Sequence, residues 1–478
     1  MHAQLRPVEA GELSAPIARR DLGYVAARVS ALRATFESGR TRPYAWRMDQ
    51  LAAVLRMLEA EQAAITEALR QDLGKPALEA WASEINEVVA STKYARKHLK
   101  KWMRPERVAT PLPLQPGKSF VQREPLGVVL VIAPWNYPLL LSLSPLVGAL
   151  AAGNTALLKP SEVAPATSAL LARIVPQYLD RDAVAVLEGG VEETTEILAQ
   201  RFDHVFYTGN GAVGRIVMEA AAKHLTPVTL ELGGKSPCIV DEQTDVAVAA
   251  RRIAWAKFWN CGQTCVAPDY LLVHERVHDR FVAQLVETVR AFFGQRPEES
   301  RDYGRIVNQR HLRRLVALLP KSGDVALGGQ FDEGDRYLSP TVLTSVPADA
   351  PVMADEIFGP ILPVLKVASV DEAVRFVSAR PKPLALYLFS QRAAHQQKVL
   401  EGTSSGGMLI NHTLLHLAVQ GLPFGGVGPS GMGAYHGRYS FDTFTHRRAV
   451  LKKPTSIDPS LLYPPYTDAK EGWLRRLM

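Results

Sequence analysis

What this sequence has least of is cysteine: three in 478 residues, Cys238, Cys261 and Cys265. Three cannot build a disulfide framework, and their spacing lacks the paired ligands of a zinc site. No metal is expected, and a reducing, cytoplasmic location is favoured. Residues Met1 to Leu13 have no apolar core, since Arg6, Glu9 and Glu12 punctuate them, so no secretory signal is visible. Charge of one sign is lacking too, because 55 basic residues are offset by 48 acidic ones along the whole chain, for a net charge of +7. Without a long basic block, a nucleic-acid partner is not expected, while a mildly basic surface suits a small anionic ligand. One strongly apolar stretch lacks charge altogether, Pro125 to Leu158. Pro134, Pro138 and Pro145 interrupt it, and a membrane-spanning helix of about 20 residues would have to absorb at least one of them. A buried strand followed by a buried helix is the expectation, with no integral membrane segment.

What is present is the composition of a globular protein, 47% apolar and 22% charged, long enough for two or three sub-domains. Apolar spacing of three and four predicts helices over Leu22–Phe36, Arg47–Gln71 and Leu78–Trp102. Residues 103–122 carry Pro105, Pro111, Pro113 and Pro116 and read as an extended or hairpin excursion. From Leu126 onward, short β-branched runs alternate with helical ones: Leu126–Ile132, Thr155–Leu158, Val184–Leu187, Val205–Tyr207 and Val228–Leu230. That alternation predicts an α/β fold with a doubly wound parallel sheet, whose ligands bind at the carboxyl ends of the strands. Beyond residue 265, helices over Arg276–Phe293 and Gln309–Leu319 and strands over Tyr270–Val273, Ile361–Val367 and Leu384–Phe389 predict a second α/β domain.

The chemistry centres on Asn260-Cys261-Gly262-Gln263-Thr264-Cys265-Val266-Ala267-Pro268, a thiol in a run of small and turn-forming residues. A buried cysteine is ordinarily an inert small hydrophobe. Here it has company: Glu231-Leu232-Gly233-Gly234-Lys235-Ser236-Pro237 places a carboxylate before a glycine pair that lets backbone approach a ligand. A thiol nucleophile with a carboxylate base suggests covalent catalysis followed by hydrolysis. Asn136, in Ala133-Pro134-Trp135-Asn136-Tyr137-Pro138 at a strand end, is either a turn asparagine or a neutral donor to a developing oxyanion. Lys159 and Glu162, in Lys159-Pro160-Ser161-Glu162, form a charged turn at the end of the next strand. Gly209-Asn210-Gly211-Ala212-Val213-Gly214 follows a strand and opens a helix, where backbone N–H groups can meet a pyrophosphate. That motif would ordinarily assign Glu231, about 20 residues on, to a ribose. The turn comes late in the sheet, so Glu231 is kept as the base.

Glu231 to Pro237 and Gly262 to Cys265, in this order and spacing, resemble the two signature sites of the NAD(P)-dependent aldehyde dehydrogenases. The resemblance runs from about Asp21 to Leu451, and the tail and compact N-terminus are similar to the class 3 branch, which includes fatty and aromatic aldehyde dehydrogenases and lies close to bacterial coniferyl aldehyde dehydrogenases. It implies a Rossmann-like cofactor domain, an α/β catalytic domain and a small β oligomerisation arm. Residues 1–102 would be the cofactor domain's N-terminal helices, 103–122 the arm, 123–231 the NAD(P)-binding domain, 232–435 the catalytic domain, and 436–478 an oligomerisation strand and tail. It further implies that Cys265 is the nucleophile, Glu231 the base for thioester hydrolysis, and Asn136 the oxyanion donor together with the backbone N–H of Cys265. Lys159 and Glu162 would hold the adenosine ribose, and Gly209, Asn210 and Gly214 the pyrophosphate. Glu356 would hold the nicotinamide ribose and Phe358 would pack beside the nicotinamide, with Trp135 and Leu232 also against the cofactor. NAD is the expected cofactor with NADP also accepted, the substrate is a small-molecule aldehyde, medium- or long-chain aliphatic or aromatic, oxidised to the carboxylic acid, and the assembly a homodimer. Asn210 stands where the family more often has serine, and Cys261 where it more often has alanine, which brings a second thiol within four residues of Cys265. Two other readings use the same fold: a CoA-acylating dehydrogenase, which would not need Glu231 as a water-activating base, and a non-catalytic scaffold. In the tail, Leu461, Leu462, Tyr463 and Tyr466, then Trp473, Leu474, Leu477 and Met478, are too apolar to stay exposed. A partner subunit or the chain's own body is expected to cover them, ahead of a membrane surface.

Overall fold

The computed structural model describes residues 23–477, so the Met1 to Leu13 stretch, the helix start at Leu22 and Met478 lie outside the described residues. Six strands form the first sheet, in the order Gly431–Met432, Val228–Glu231, His204–Thr208, Val128–Ile132, Thr155–Lys159, Val184–Val186. All but the Gly431–Met432 edge are parallel. Their apolar runs follow from burial on both faces: every residue of Val128–Ile132, Thr155–Lys159 and His204–Thr208 is buried.

In chain order the sheet starts at Val128–Ile132, grows one way through Thr155–Lys159 and Val184–Val186, then returns to the other side for His204–Thr208 and Val228–Glu231. The reversal leaves a crevice between the ends of Val128–Ile132 and His204–Thr208, where α/β sheets take their ligands. Register aligns the strand ends, pairing Ile132 with both Lys159 and Tyr207, and Thr208 with Glu231. The turns bearing Trp135 and Asn136, Lys159 and Glu162, Gly209 and Asn210, and Glu231 therefore open on one edge.

The uncharged stretch contains the Val128–Ile132 strand, the Leu140–Ala152 helix and the start of the Thr155–Lys159 strand. That helix is buried on every side from Leu141 to Ala152, which accounts for the missing charge. Among the described residues no helix is long and apolar enough to cross a membrane. The second sheet has seven strands, ordered Asp324–Leu327, Thr341–Thr344, Ile361–Val367, Tyr270–His274, Pro237–Val240, Ala385–Phe389, Gly407–Ile410. It too is parallel except at its first pair.

Residues 103–122 hold a hairpin, Glu106–Val108 against Lys118–Pro125, completed by Thr445–Lys452 across eight paired positions. Two helical expectations are revised. The run Arg47–Gln71 is two helices, Tyr44–Ala60 and Gln62–Leu73, parted at Glu61, whose carboxylate accepts from Tyr178 and Arg173 of a distant helix. The run Leu78–Trp102 opens with a short helix, Ala77–Ala80, and one π-helical turn, Trp81–Ile85, before the Asn86–Trp102 helix. At the C-terminus a helix forms over Asp468–Leu477. The chain's own body does not cover the tail, since Ile457, Leu462, Tyr463, Tyr466 and Trp473 are all half exposed or more.

Candidate functional site

Cys265 follows a backbone that few sequences could hold. Asn260 (φ 51°) and Cys261 (φ 52°) are both left-handed, and Gly262 (φ 70°) extends the same turn. Non-glycine residues there cost roughly 1 kcal/mol or more each and persist only when surroundings over-determine them. Here they do. The Asn260 N–H donates to the Glu79 carboxyl at 2.9 Å, and the Asn260 amide donates to the carbonyls of Asn136 at 2.8 Å and Gln263 at 3.2 Å. Gln263, buried, donates from its amide to the carbonyls of Asn260 and Arg305, and its Oε1 accepts from the Val307 N–H. A Cβ on Gly262 would sit 2.3 Å from the Gly359 carbonyl oxygen, so glycine lets this turn touch the Glu356–Phe358 loop.

Asn136 is buried, and its Nδ2 donates to the Gln263 carbonyl at 3.1 Å, which ties the amide to the cysteine loop and leaves its second N–H uncommitted among the described residues. The neighbouring Tyr137 hydroxyl bonds Thr264 Oγ1 at 2.6 Å. Below them lies a fully buried ion pair, Lys75 with Glu84. Lys75 also donates to the Asn136 carbonyl at 3.2 Å and stands 4.3 Å over the Tyr137 ring, while Glu84 accepts the N–H groups of Leu139 and Leu140. The peptide bearing the amide is thus fixed from both sides.

The Glu231 carboxyl is buried, and neither oxygen has a hydrogen-bond partner. Burial alone pushes its pKa well above the usual carboxylate range. The Cys265 thiol is also pushed up, first by burial and then by the Glu356 and Glu231 charges, while the backbone N–H groups of Cys265 and Val266 pull it down. Cys261 is different in kind: it is 1% exposed, and its thiol is held by the Tyr303 hydroxyl and the Gly304 N–H. All three cysteines are free.

Those expected dinucleotide residues that belong to the first sheet follow its aligned strand ends. Asn210 caps the Gly211–Ala222 helix, its Oδ1 accepting from the Val213 N–H at 2.9 Å. Each glycine of that turn has its own reason: a Cβ on Gly209 would meet the Tyr207 hydroxyl at 2.2 Å, one on Gly214 would press Leu232 at 3.0 Å, and one on Gly211 would reach only Arg215, at 3.8 Å. Leu232 thus seats the helix on its strand, and the space at Gly211 beside the first-turn N–H groups is nearly open. Lys159, buried, donates to Glu162 and to the Pro160 carbonyl, each at 2.9 Å, so the two expected ribose ligands are paired with one another here.

The Glu356 carboxyl lies over Gly233, where a Cβ would fall 2.0 Å from it. Burial, reinforced by Asp269, pushes its pKa up to about 8. Lys235 clamps that loop by donating to the carbonyls of Val352 and Asp355 and to the Asp269 carboxylate, whose other oxygen accepts from the Ile357 N–H. Phe358 and His311 flank Trp135, with ring centroids 5.3 and 4.9 Å away.

Sequence reasoning missed the support: Lys75, Glu79, Glu84, Gln263, Asp269 and His311. The one available signal was the run Lys75, Glu79, Glu84, three ionic residues within ten positions, all buried, from the loop before the Ala77–Ala80 helix to the π-helical turn after it. Among the described residues no group of three or more His, Cys, Asp or Glu side chains is placed to hold a metal ion.

Comparison with known proteins gives one answer. The family model for the aldehyde dehydrogenase family matches residues 3–450. Aldehyde dehydrogenase family 3 member A2 of Mus musculus is 50% identical over 450 residues, 94% of this chain and 93% of that protein. The 4,4′-diaponeurosporen-aldehyde dehydrogenase of Staphylococcus aureus is 49% identical over 435 residues, 91% of this chain and 95% of that protein. Among solved structures, a substrate-bound Staphylococcus aureus AldH superimposes with a TM-score of 0.92 at 47% identity, covering 95% of this chain and 99% of that one. An indole-3-acetaldehyde dehydrogenase in complex with NAD+ does so with a TM-score of 0.83 at 26% identity, covering 91% and 90%.

Proposed function

Because the chain belongs to the aldehyde dehydrogenase family and is an oxidoreductase acting on aldehydes, we propose that it oxidises an aromatic or a medium- to long-chain aliphatic aldehyde to the carboxylic acid with NAD or NADP. The observation that carries the reading is the buried Glu231 carboxyl, unpartnered and electrostatically coupled to the Cys265 thiol. Burial that raises the pKa of a carboxyl makes its ionised form a stronger base, suited to take a proton from a thiol and later from water.

Cys265 sulfur adds to the aldehyde carbon as its proton leaves for Glu231. The free Asn136 amide N–H and the Cys265 backbone N–H hold the oxygen of the resulting thiohemiacetal. The dinucleotide, when bound, supplies the hydride acceptor that converts this adduct to a thioester. Once Glu231 has passed the thiol's proton to solvent, it takes a proton from water attacking the thioester carbon, and the Cys265 thiolate that is expelled regains a proton from Glu231 as the acid leaves. First-turn N–H groups at Gly211, the Lys159–Glu162 pair, Glu356 and the Trp135–Phe358 rings are the groups that would hold the cofactor, and the near-open space at Gly211 fits its phosphates. Leu415, Val419 and Leu422, each 48% exposed on the segment that follows the last strand of the second sheet, would offer an apolar aldehyde its contact surface. The three-stranded sheet of Glu106–Val108, Lys118–Pro125 and Thr445–Lys452 is the arm through which two copies would pair, in the cytoplasm.

Glu231→Gln tests the assignment. The amide keeps the shape but cannot accept a proton, so an initial burst of NADH should survive while steady turnover falls by about a hundredfold or more. An unchanged steady rate would remove Glu231 from the mechanism.

A further inference from the structure

Between the Lys159–Glu162 turn and the Gln309–Val316 helix lies a cleft of about 500 Å³ whose walls include Asp72, Glu162, Val163, Asn308, Arg310 and Arg336. Its charges are unequally committed. The Asp72 carboxylate is spent on the N–H groups of Ala166 and Thr167 and on the Thr167 hydroxyl. Arg336 donates to the carbonyls of Asp72 and Val307, both at 2.8 Å. On the Gln309–Val316 helix, Arg313 pairs with Glu333 and Arg314 donates to the Ile357 carbonyl. Arg310 is exposed and makes no hydrogen bond or ion pair among the described residues.

A cation in the first turn of a helix works against the helix dipole, so Arg310 does nothing for its own element. That element is nevertheless firmly held: Asn308 Oδ1 accepts from the His311 N–H at 2.9 Å, and the His311 ring packs on Trp135. An uncommitted guanidinium on a fixed helix thus shares a cleft with Glu162, the carboxylate that would repel a phosphate on the neighbouring ribose.

We propose that Arg310 receives the 2′-phosphate of NADP, offsetting Glu162 and setting how far the site accepts NADP beside NAD. The inference rests on the assignment of Lys159 and Glu162 to the adenosine ribose. A planar guanidinium can bond a phosphate through two parallel N–H groups, which an ammonium cannot.

The test is calorimetric titration of the full-length protein with two probes, adenosine 2′,5′-bisphosphate and 5′-AMP, so it does not depend on turnover. Arg310→Ala should lower affinity for the bisphosphate by about three- to tenfold while leaving 5′-AMP affinity unchanged, and the difference should shrink as salt rises. Arg310→Lys should retain part of the preference. Equal losses for both probes, or no loss for either, would overturn the role of Arg310. Glu162→Gln, titrated in parallel, should raise bisphosphate affinity relative to 5′-AMP. If Glu162→Gln shifts that ratio and Arg310→Ala does not, only the arginine's role fails. If Glu162→Gln leaves the ratio unmoved, or neither probe binds the unsubstituted protein, the ribose assignment beneath it fails.

Discussion

Glu79 accepts the N–H that opens the left-handed turn before Cys265, and it does so from a buried position whose pKa is pushed from 4.5 to about 7, first by desolvation. The group therefore keeps its proton in the folded chain over a pH range in which the unfolded chain has lost it. Its contribution to stability is fully present below about pH 4.5 and is lost as pH rises through 7. At 1.36 kcal/mol for each tenfold change in proton affinity, the interval from 4.5 to about 7 amounts to about 3 kcal/mol. Glu79→Gln keeps a carbonyl oxygen for the Asn260 N–H but cannot ionise. Whatever fixed cost the extra amide donors bring does not change with pH, so the slope isolates the titration. Urea midpoints should show the variant gaining about 2 to 3 kcal/mol relative to the parent between about pH 5 and pH 8.5, with equal m-values. Glu231 and Glu356 titrate in both proteins and cancel in the difference. Parallel stability profiles for parent and variant would refute the claim that this carboxyl is buried at a cost.

Cys265→Ala should abolish aldehyde oxidation while dinucleotide affinity, read by quenching of protein fluorescence, stays within about twofold. Cys261→Ala should keep most activity, because that thiol is packed against Tyr303 and Gly304; the reverse outcome would move the nucleophile. Deleting the residues after Pro454 should weaken self-association in light scattering or lower the melting temperature, since Leu462, Tyr463, Tyr466 and Trp473 are exposed on a single chain. Sedimentation with anionic vesicles should not change, and full-length protein that pellets with vesicles and loses this on truncation would assign the tail to a lipid surface instead.

The parts of this molecule that its sequence announces are those whose cause is local. Parallel strands buried on both faces become unbroken apolar runs, so Val128–Ile132, Thr155–Lys159 and His204–Thr208 are legible, as is the uncharged helix Leu140–Ala152 beside them. The turns at their ends are legible too, because glycine, proline and isolated polar residues interrupt those runs at Asn136, Lys159, Gly209 and Glu231. What stays hidden depends on partners far away in the chain. Nothing near Glu61 says that the helix must part there, since its anchors are Arg173 and Tyr178, more than a hundred positions on. Glu79 and Glu84 are five apart, a spacing that points to different sides of a regular α-helix. Here it spans the π-turn Trp81–Ile85, and one carboxyl reaches the cysteine loop while the other accepts from the Leu139 and Leu140 N–H groups and pairs with Lys75, which donates to the Asn136 carbonyl. A 3.6-residue pattern therefore reads this segment as scaffold. The proposed reacting groups lie on turns and a strand end that composition betrays, even though Asn136 and Glu231 are themselves buried, while the backbone around them is held by a buried lysine and two buried glutamates, Lys75, Glu79 and Glu84, that no periodicity requires.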